Sequence, residues 1–178
     1  MILGVHSATF VKNWHEDVKP YIHLCKKAGY KSVEVSLLGQ TPSSAKEIAK
    51  LANDLNISIT CTTGLSNEED ISSSDPVIQQ NGVDALKRAI DMTAIMQAKL
   101  LTGVVHAAWG ISNSMGKDKE GKFQNSSHSI KKITSLLSEK NIQLGIEPLN
   151  RYESDFINTV DEGIRLCELI DHPNVGLL

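Results

Sequence analysis

Three observations predict a (β/α)8 barrel, with about six of its eight strands present in the 178-residue chain. Short apolar runs alternate with amphipathic helical patterns, and strand-helix repeats of that kind build a parallel sheet. The strands read as continuous apolar stretches, which means that both faces of the sheet are covered. The first strand is followed by His6 to Trp14 (HSATFVKNW). This turn has no glycine, whereas a dinucleotide-binding sheet calls for Gly-x-Gly-x-x-Gly there. A flavodoxin-like open sheet fits the alternation alone and stays open on pattern. A complete barrel takes about 250 residues, and Leu177-Leu178 fall inside an apparent strand. Residues 1–178 are therefore expected to form a single barrel domain, truncated at the C-terminus.

Ile2 to Val5 reads as the first strand. A helix follows with Val18, Tyr21, Ile22, Cys25 and Ala28 on one stripe, stopped by Gly29. Ser32 to Leu37 (SVEVSL) is the second strand. Thr41-Pro42 opens the second helix, since proline suits a first helical position. Ser44 with Glu47 is a candidate capping box, and Ala45, Ile48, Ala49, Ala52 and Leu55 make the buried stripe. Ile57 to Thr63, rich in β-branched residues, is the third strand. Asp75-Pro76 starts a long third helix with Val83, Leu86, Ile90 and Ala94 inward. Leu100 to Val105 is the fourth strand, and 107–124, with Gly110, Gly116 and Gly121, reads as a long loop. Ser126 to Lys140 is the fourth helix, Gln143 to Leu149 the fifth strand and Thr159 to Ile170 the fifth helix, with Thr159 and Glu162 as its capping pair. Val175 to Leu178 begins the sixth strand.

Composition narrows the function. The chain is 40% apolar and 22% charged with a formal net charge of −3, as in a soluble globular domain. A nucleic-acid binder carries a basic excess to neutralise phosphates, and the lysines here are scattered over solvated helix faces. Cys25, Cys61 and Cys167 are far apart and form no Cys-x-x-Cys pair, so neither a zinc knuckle nor a disulfide framework is indicated. A reducing cytoplasm fits. No run approaches the ~18 apolar residues of a membrane helix, and the N-terminus lacks the pattern of a secretory signal.

The chemistry concentrates in Gly145 to Thr159 (GIEPLNRYESDFINT). Residues two apart on a strand share a face, so Gln143, Gly145, Glu147 and Leu149 point one way and the apolar Leu144 and Ile146 the other, with Pro148. Pro148 cannot donate to a ladder, so the regular strand ends near it. Glu147 is thus an inward-facing acid at the C-terminal end of a barrel strand, where catalytic groups gather. A buried carboxylate without a partner costs several kcal/mol or shifts its pKa upward. A metal ion or a substrate hydroxyl relieves that cost, and so does a structural pairing with Arg151 or a backbone donor. Other strand ends carry His6, Thr63-Gly64, His106 and Trp109. Together with Trp14 they offer aromatic faces and polar groups, as a sugar pocket requires. Glu34, on the second strand, is either a further inward acid or the partner of a lysine.

The run Ile146, Glu147, Asn150, Arg151 and Glu153, followed by Asn158-Thr159, resembles the fifth strand of the xylose-isomerase-like barrel superfamily, and in particular its ketose 3-epimerases of the tagatose and psicose group. Gly103 to Gly110 (GVVHAAWG) resembles the strand-four turn of that group, with Trp109 at the position of a substrate-packing tryptophan, Gly64 in TTGLS its strand-three turn and Trp14 an N-terminal pocket aromatic. The resemblance implies C3 epimerisation of a ketose through an enediolate, with Glu147 as both ligand of a divalent metal and acid/base. The metal implied is Mn2+ or Co2+, with Mg2+ also admissible. His6, Trp14, Gly64, Trp109, Arg151 and Glu153 would be substrate-binding, Glu153 by holding a sugar hydroxyl. The remaining ligands of the family, on strands six to eight, would fall beyond Leu178, so the 178-residue piece alone is expected to be inactive and to bind metal poorly. The full-length form is expected to be a homo-oligomer acting on a small sugar, with no nucleic-acid or membrane partner. His6 stands where relatives often have an aromatic residue. Two alternatives are kept. One is a metal-dependent hydrolase resembling endonuclease IV, with His106 and Glu147 among zinc ligands; the other is a non-catalytic sugar-binding domain.

Overall fold

The computed structural model describes residues 2–110 and 118–178. Its strands are β1 (Gly4–His6), β2 (Ser32–Ser36), β3 (Ser58–Leu65), β4 (Leu100–Ala108), β5 (Gln143–Ile146) and β6 (Val175–Leu177). They form one sheet in which every neighbouring pair is parallel and the spatial order β1-β2-β3-β4-β5-β6 is the chain order. A doubly wound sheet reverses its strand order at a switch point; this one does not, so it is an arc of a (β/α)8 barrel. The helices are α1 (Lys19–Lys27), α2 (Pro42–Leu55), α3 (Pro76–Ile95), α4 (Lys119–Lys131), α5 (Thr134–Lys140) and α6 (Val160–Ile170). Among the described residues no helix is long and apolar enough to cross a membrane.

The core lies between the helices and the outward face of the sheet. Ile22, Ile48, Leu86, Ile90, Ile130, Leu137 and Leu166 come from helices, and Val33, Val35, Cys61, Leu101, Leu144 and Ile146 from strands. Burial alternates along β2, where Val33 and Val35 are buried while Glu34 between them faces the lumen side. This is the period of two that an inward polar residue needs. The lumen is close-fitting. A Cβ at Gly145 would meet Thr102 Cγ2 at 3.1 Å, and Gly103 in β4 has φ +107 with Thr63 O at 2.3 Å from a Cβ position. Gly103 precedes a register shift in which Gly64 pairs with Val104 but Leu65 with Ala108. An isolated glycine within a strand commonly marks such an irregularity.

Several boundaries differ from the sequence expectation. Helix α2 is capped by Thr41 with Ser44 in the reciprocal role, rather than by Ser44 with Glu47. Glu47 instead meets Lys19 at 2.5 Å. The segment expected to be loop over 107–124 belongs partly to β4 and partly to α4; its centre, 111–117, lies outside the described residues. Gly121 suggested loop but sits in the first turn of α4, where the Asp118 carboxylate accepts its N–H at 2.9 Å. That carboxylate occupies the space a Cβ would need, with Oδ2 at 2.1 Å. The expected helix Ser126–Lys140 is interrupted at Lys132 and Ile133. There the Thr134 hydroxyl donates to the Lys131 carbonyl at 3.0 Å, and no glycine or proline signals the break. Strand β5 ends at Ile146, ahead of the expected Leu149.

The packing predicts a sharp contrast between two α3 positions. Leu86 is fully buried and Val77 is 66% exposed. Leu86→Ala should lose about 2–5 kcal/mol and Val77→Ala less than about 0.5 kcal/mol, as read by denaturant unfolding.

Candidate active site

A cleft of about 150 Å³ opens at the C-terminal ends of the strands, lined by residues from β1, β2, β3, β4 and the segments after them and by the turn after β5. His6, Trp14, Gly64, Trp109, Glu147 and Glu153 all line it. Residues separated by up to 147 positions are therefore brought together as the sequence reading expects. Arg151 is the exception: its side chain is exposed and lies outside the lining. Ser36, Leu38, Thr62, Gly103, Val104 and Leu149 also line the cleft and were not picked out from sequence. The period of two along Thr60-Thr62 and the lone glycine in apolar β4 were the available signals.

Glu147 is the first residue past β5, on the same face as Gly145, while Leu144 and Ile146 are buried in the core. Its carboxylate accepts no hydrogen bond among the described residues, from Arg151 or from the backbone. Burial, and then the nearby charges of Glu34 and Glu153, push its carboxyl above the ordinary carboxylate range; His6 pulls the other way. Glu34 faces inward and accepts from the Thr102 hydroxyl at 2.6 Å, so it pairs with a threonine rather than with a lysine. Glu153 accepts from Asn150 Nδ2 at 2.5 Å.

The loop after β5 holds these groups in place. Asn158 Nδ2 donates to the carbonyls of Leu149 at 2.9 Å and Ser154 at 2.8 Å, and Leu149 N–H reaches Ile157 O at 2.9 Å. Thr159 then caps α6 by accepting from Glu162 N at 3.2 Å, while the Glu162 carboxylate accepts from Asn158 N at 2.7 Å. Trp109 is fastened on both sides: its N–H donates to Leu65 O at 2.8 Å, and the next N–H, of Gly110, donates to Glu153 O at 3.0 Å. Its ring meets Trp14 edge-on at 6.1 Å. A Cβ at Gly64 would stand 3.3 Å from Trp109 Cε3. The close neighbour that explains this glycine is therefore the indole.

His106 lies within β4, not after it, and is absent from the cleft lining. It is buried against Phe156 with ring centroids 5.9 Å apart, and neither ring nitrogen has a hydrogen-bond partner among the described residues. A hydrolytic site built on His106 together with Glu147 loses its histidine by this placement. Burial lowers the His106 pKa to about 4.

Could these residues suit a metal? Glu147 feels the charges of Glu34 and Glu153 and has no donor among the described residues, an environment that a cation relieves, and oxygen donors suit hard divalent ions. Among the described residues no group of three or more His, Cys, Asp or Glu side chains is placed to hold a metal. Glu147 is thus a fitting single ligand rather than a complete set.

The xylose isomerase-like TIM barrel family model matches residues 22–178. D-psicose 3-epimerase of Ruminiclostridium cellulolyticum is 28% identical over 98% of this chain and 61% of its own length. L-ribulose 3-epimerase of Methylomonas sp. is 26% identical over 98% of this chain and 60% of its own. The crystal structure of D-psicose 3-epimerase with D-tagatose from Clostridium cellulolyticum H10 superposes with a TM-score of 0.92 at 27% identity, covering 99% of this chain and 62% of that one. The chain thus spans about three-fifths of the length of the relatives it matches.

Two predictions follow from the geometry. Gly64→Ala should displace the Trp109 ring, read as a change in tryptophan fluorescence at nearly unchanged stability. For His106, the unfolded ring titrates near 6.5 and the folded one near 4. The unfolded state binds the extra proton, so stability falls as pH drops through that window, by about 3 kcal/mol once below it. His106→Leu should flatten this fall in unfolding free energy measured against pH.

Proposed function

The chain belongs to the xylose isomerase-like TIM barrel family, and we propose that its natural protein epimerises a ketose at C3, with residues 1–178 forming part of one barrel domain and Glu147 moving the proton. The observation that carries this reading is the Glu147 carboxylate. It is partly desolvated, accepts no hydrogen bond among the described residues, and faces a cleft walled by Trp14 and Trp109. The named activities of the relatives, D-psicose and L-ribulose 3-epimerase, support the same reading.

A C–H beside a ketone is weakly acidic, and a carboxylate within reach removes its proton most effectively when its pKa lies near the working pH. The upward displacement of Glu147 serves that end. Glu147 takes the C3 proton from one face of the sugar. Return of a proton to the opposite face inverts the centre, and the group that delivers it comes, in this proposal, from outside residues 1–178. Glu153, held by Asn150 and by the backbone bond to Gly110, accepts a sugar hydroxyl. The indoles of Trp14 and Trp109 cover the C–H surface and exclude water. A divalent cation bound at Glu147, Mn2+, Co2+ or Mg2+, would supply Lewis-acid stabilisation of charge on the substrate oxygens.

The lining also favours a free sugar over a phosphorylated one. No lysine or arginine lines the cleft among the described residues, whereas Glu147 and Glu153 do. Within this lining a phosphate would meet the carboxylates of Glu147 and Glu153.

The test is Glu147→Gln in the natural gene product, assayed on D-fructose and D-tagatose. Turnover should fall by about 10²–10⁴-fold with an unchanged thermal midpoint. Full activity in the variant would reject the assignment.

A further inference from the structure

We propose that Asp70 is a positioning residue for the sugar, acting through Trp109: its side-chain oxygen fixes the main chain beneath the indole and so sets where that wall of the cleft stands. This deepens the ketose reading and rests on it. Three consecutive N–H groups secure the main chain at Trp109. The Ala108 N–H donates to Asp70 Oδ1 at 3.2 Å, the Trp109 N–H to Leu65 O at 2.8 Å and the Gly110 N–H to Glu153 O at 3.0 Å. The last two acceptors are main-chain carbonyls, which no substitution removes. Asp70 Oδ1 is the acceptor of the three that the sequence can change.

The sheet leaves this place to a side chain. β4 shifts register against β3 between Gly64 and Leu65, and it pairs with β5 at Leu100 and Leu101, well short of Ala108. Ala108 is buried, and a buried N–H without an acceptor is costly. Asp70 supplies that acceptor from the segment between β3 and α3, and the segment is itself held from behind. Asn125 Nδ2 on α4 donates to the carbonyls of Ser72 at 3.3 Å and Ser73 at 3.0 Å, and the Ser129 hydroxyl donates to the Ile71 carbonyl at 3.3 Å. Ile71 is fully buried. The Ser72 N–H and hydroxyl, at 2.9 and 2.7 Å, orient the Asp70 oxygen in turn. A chain of fixed contacts thus runs from α4 through Asp70 to the main chain under the ring. The ring has little slack above it, since a Cβ at Gly64 would stand 3.3 Å from Trp109 Cε3. An indole displaced by about 1 Å loses its fit to a bound sugar.

Variants of the natural gene product separate an acceptor from a charge. Asp70→Asn removes the charge and keeps a carbonyl oxygen, whereas Asp70→Ala removes both. The KM for D-fructose should rise about tenfold in Asp70→Ala, with kcat within about threefold. Asp70→Asn should bring KM back to within about twofold of the wild type. With 5-fluorotryptophan incorporated, the fluorine resonance of Trp109, assigned through Trp109→Phe, should move in the Ala variant and hold its place in the Asn variant. In a Trp109→Ala background, adding Asp70→Ala should leave KM unchanged, because the ring through which it acts is gone.

An Asn variant as impaired as the Ala variant would overturn the proposal, since charge and not the acceptor would then matter. So would an Asp70→Ala penalty of equal size with and without the Trp109 ring, or a fluorine signal that stays put in the Ala variant. Amide exchange gives a check that needs no variant. In the wild type the Ala108 N–H should exchange slowly with deuterium oxide, and exchange at the unprotected rate would sink the idea. The ketose reading survives each of these adverse results as long as the wild type turns over D-fructose. A wild type that turns over no ketose would sink both.

Discussion

Removing a carboxylate from water without giving it a donor costs free energy, and the site is organised around one such group. Glu147 stands immediately past an apolar strand, with no hydrogen bond among the described residues and close enough to Glu34 and Glu153 to feel their charge. The chain has inexpensive ways to avoid this. Arg151 is four residues away, and backbone N–H groups abound in the turn. Instead Arg151 points out, Glu34 is engaged by Thr102, and Glu153 by Asn150. The neighbours are bonded, while the central acid accepts no hydrogen bond among the described residues.

The segment after β5 divides into groups that face the cleft and groups that hold the loop. Asn158 ties together the carbonyls of Leu149 and Ser154, and Thr159 starts α6. The bond from Gly110 to Glu153 O couples the strand-four turn to this loop, and with it Trp109 to Glu153. The Trp109 indole and the Glu153 carboxylate are thereby set relative to each other by main-chain bonds.

The sheet was largely readable because parallel, doubly covered strands impose apolar runs, and the inward turn of Glu147 followed from its parity with Gly145. Trp14, read from the sequence as a pocket aromatic, lines the cleft beside Trp109. What was hidden depended on contacts between distant residues. Gly121 looked like loop because its reason is the Asp118 carboxylate packed against it. His106 looked like a strand-end group because the extension of β4 to Ala108 is set by pairing with β3 rather than by its own residues. Gly64 announced a close approach without saying that the partner is an indole, and nothing in the spacing of Arg151 told that its guanidinium would face solvent.

The most direct test of a proton-handling acid in this cleft is isotope exchange. The natural gene product should be incubated with D-fructose in deuterium oxide and the sugar followed by NMR. Deuterium appearing at C3 of the recovered sugar and of its C3 epimer is the outcome the account requires. Deuterium at C1 alone, or an unlabelled sugar that nonetheless binds the cleft, would contradict it.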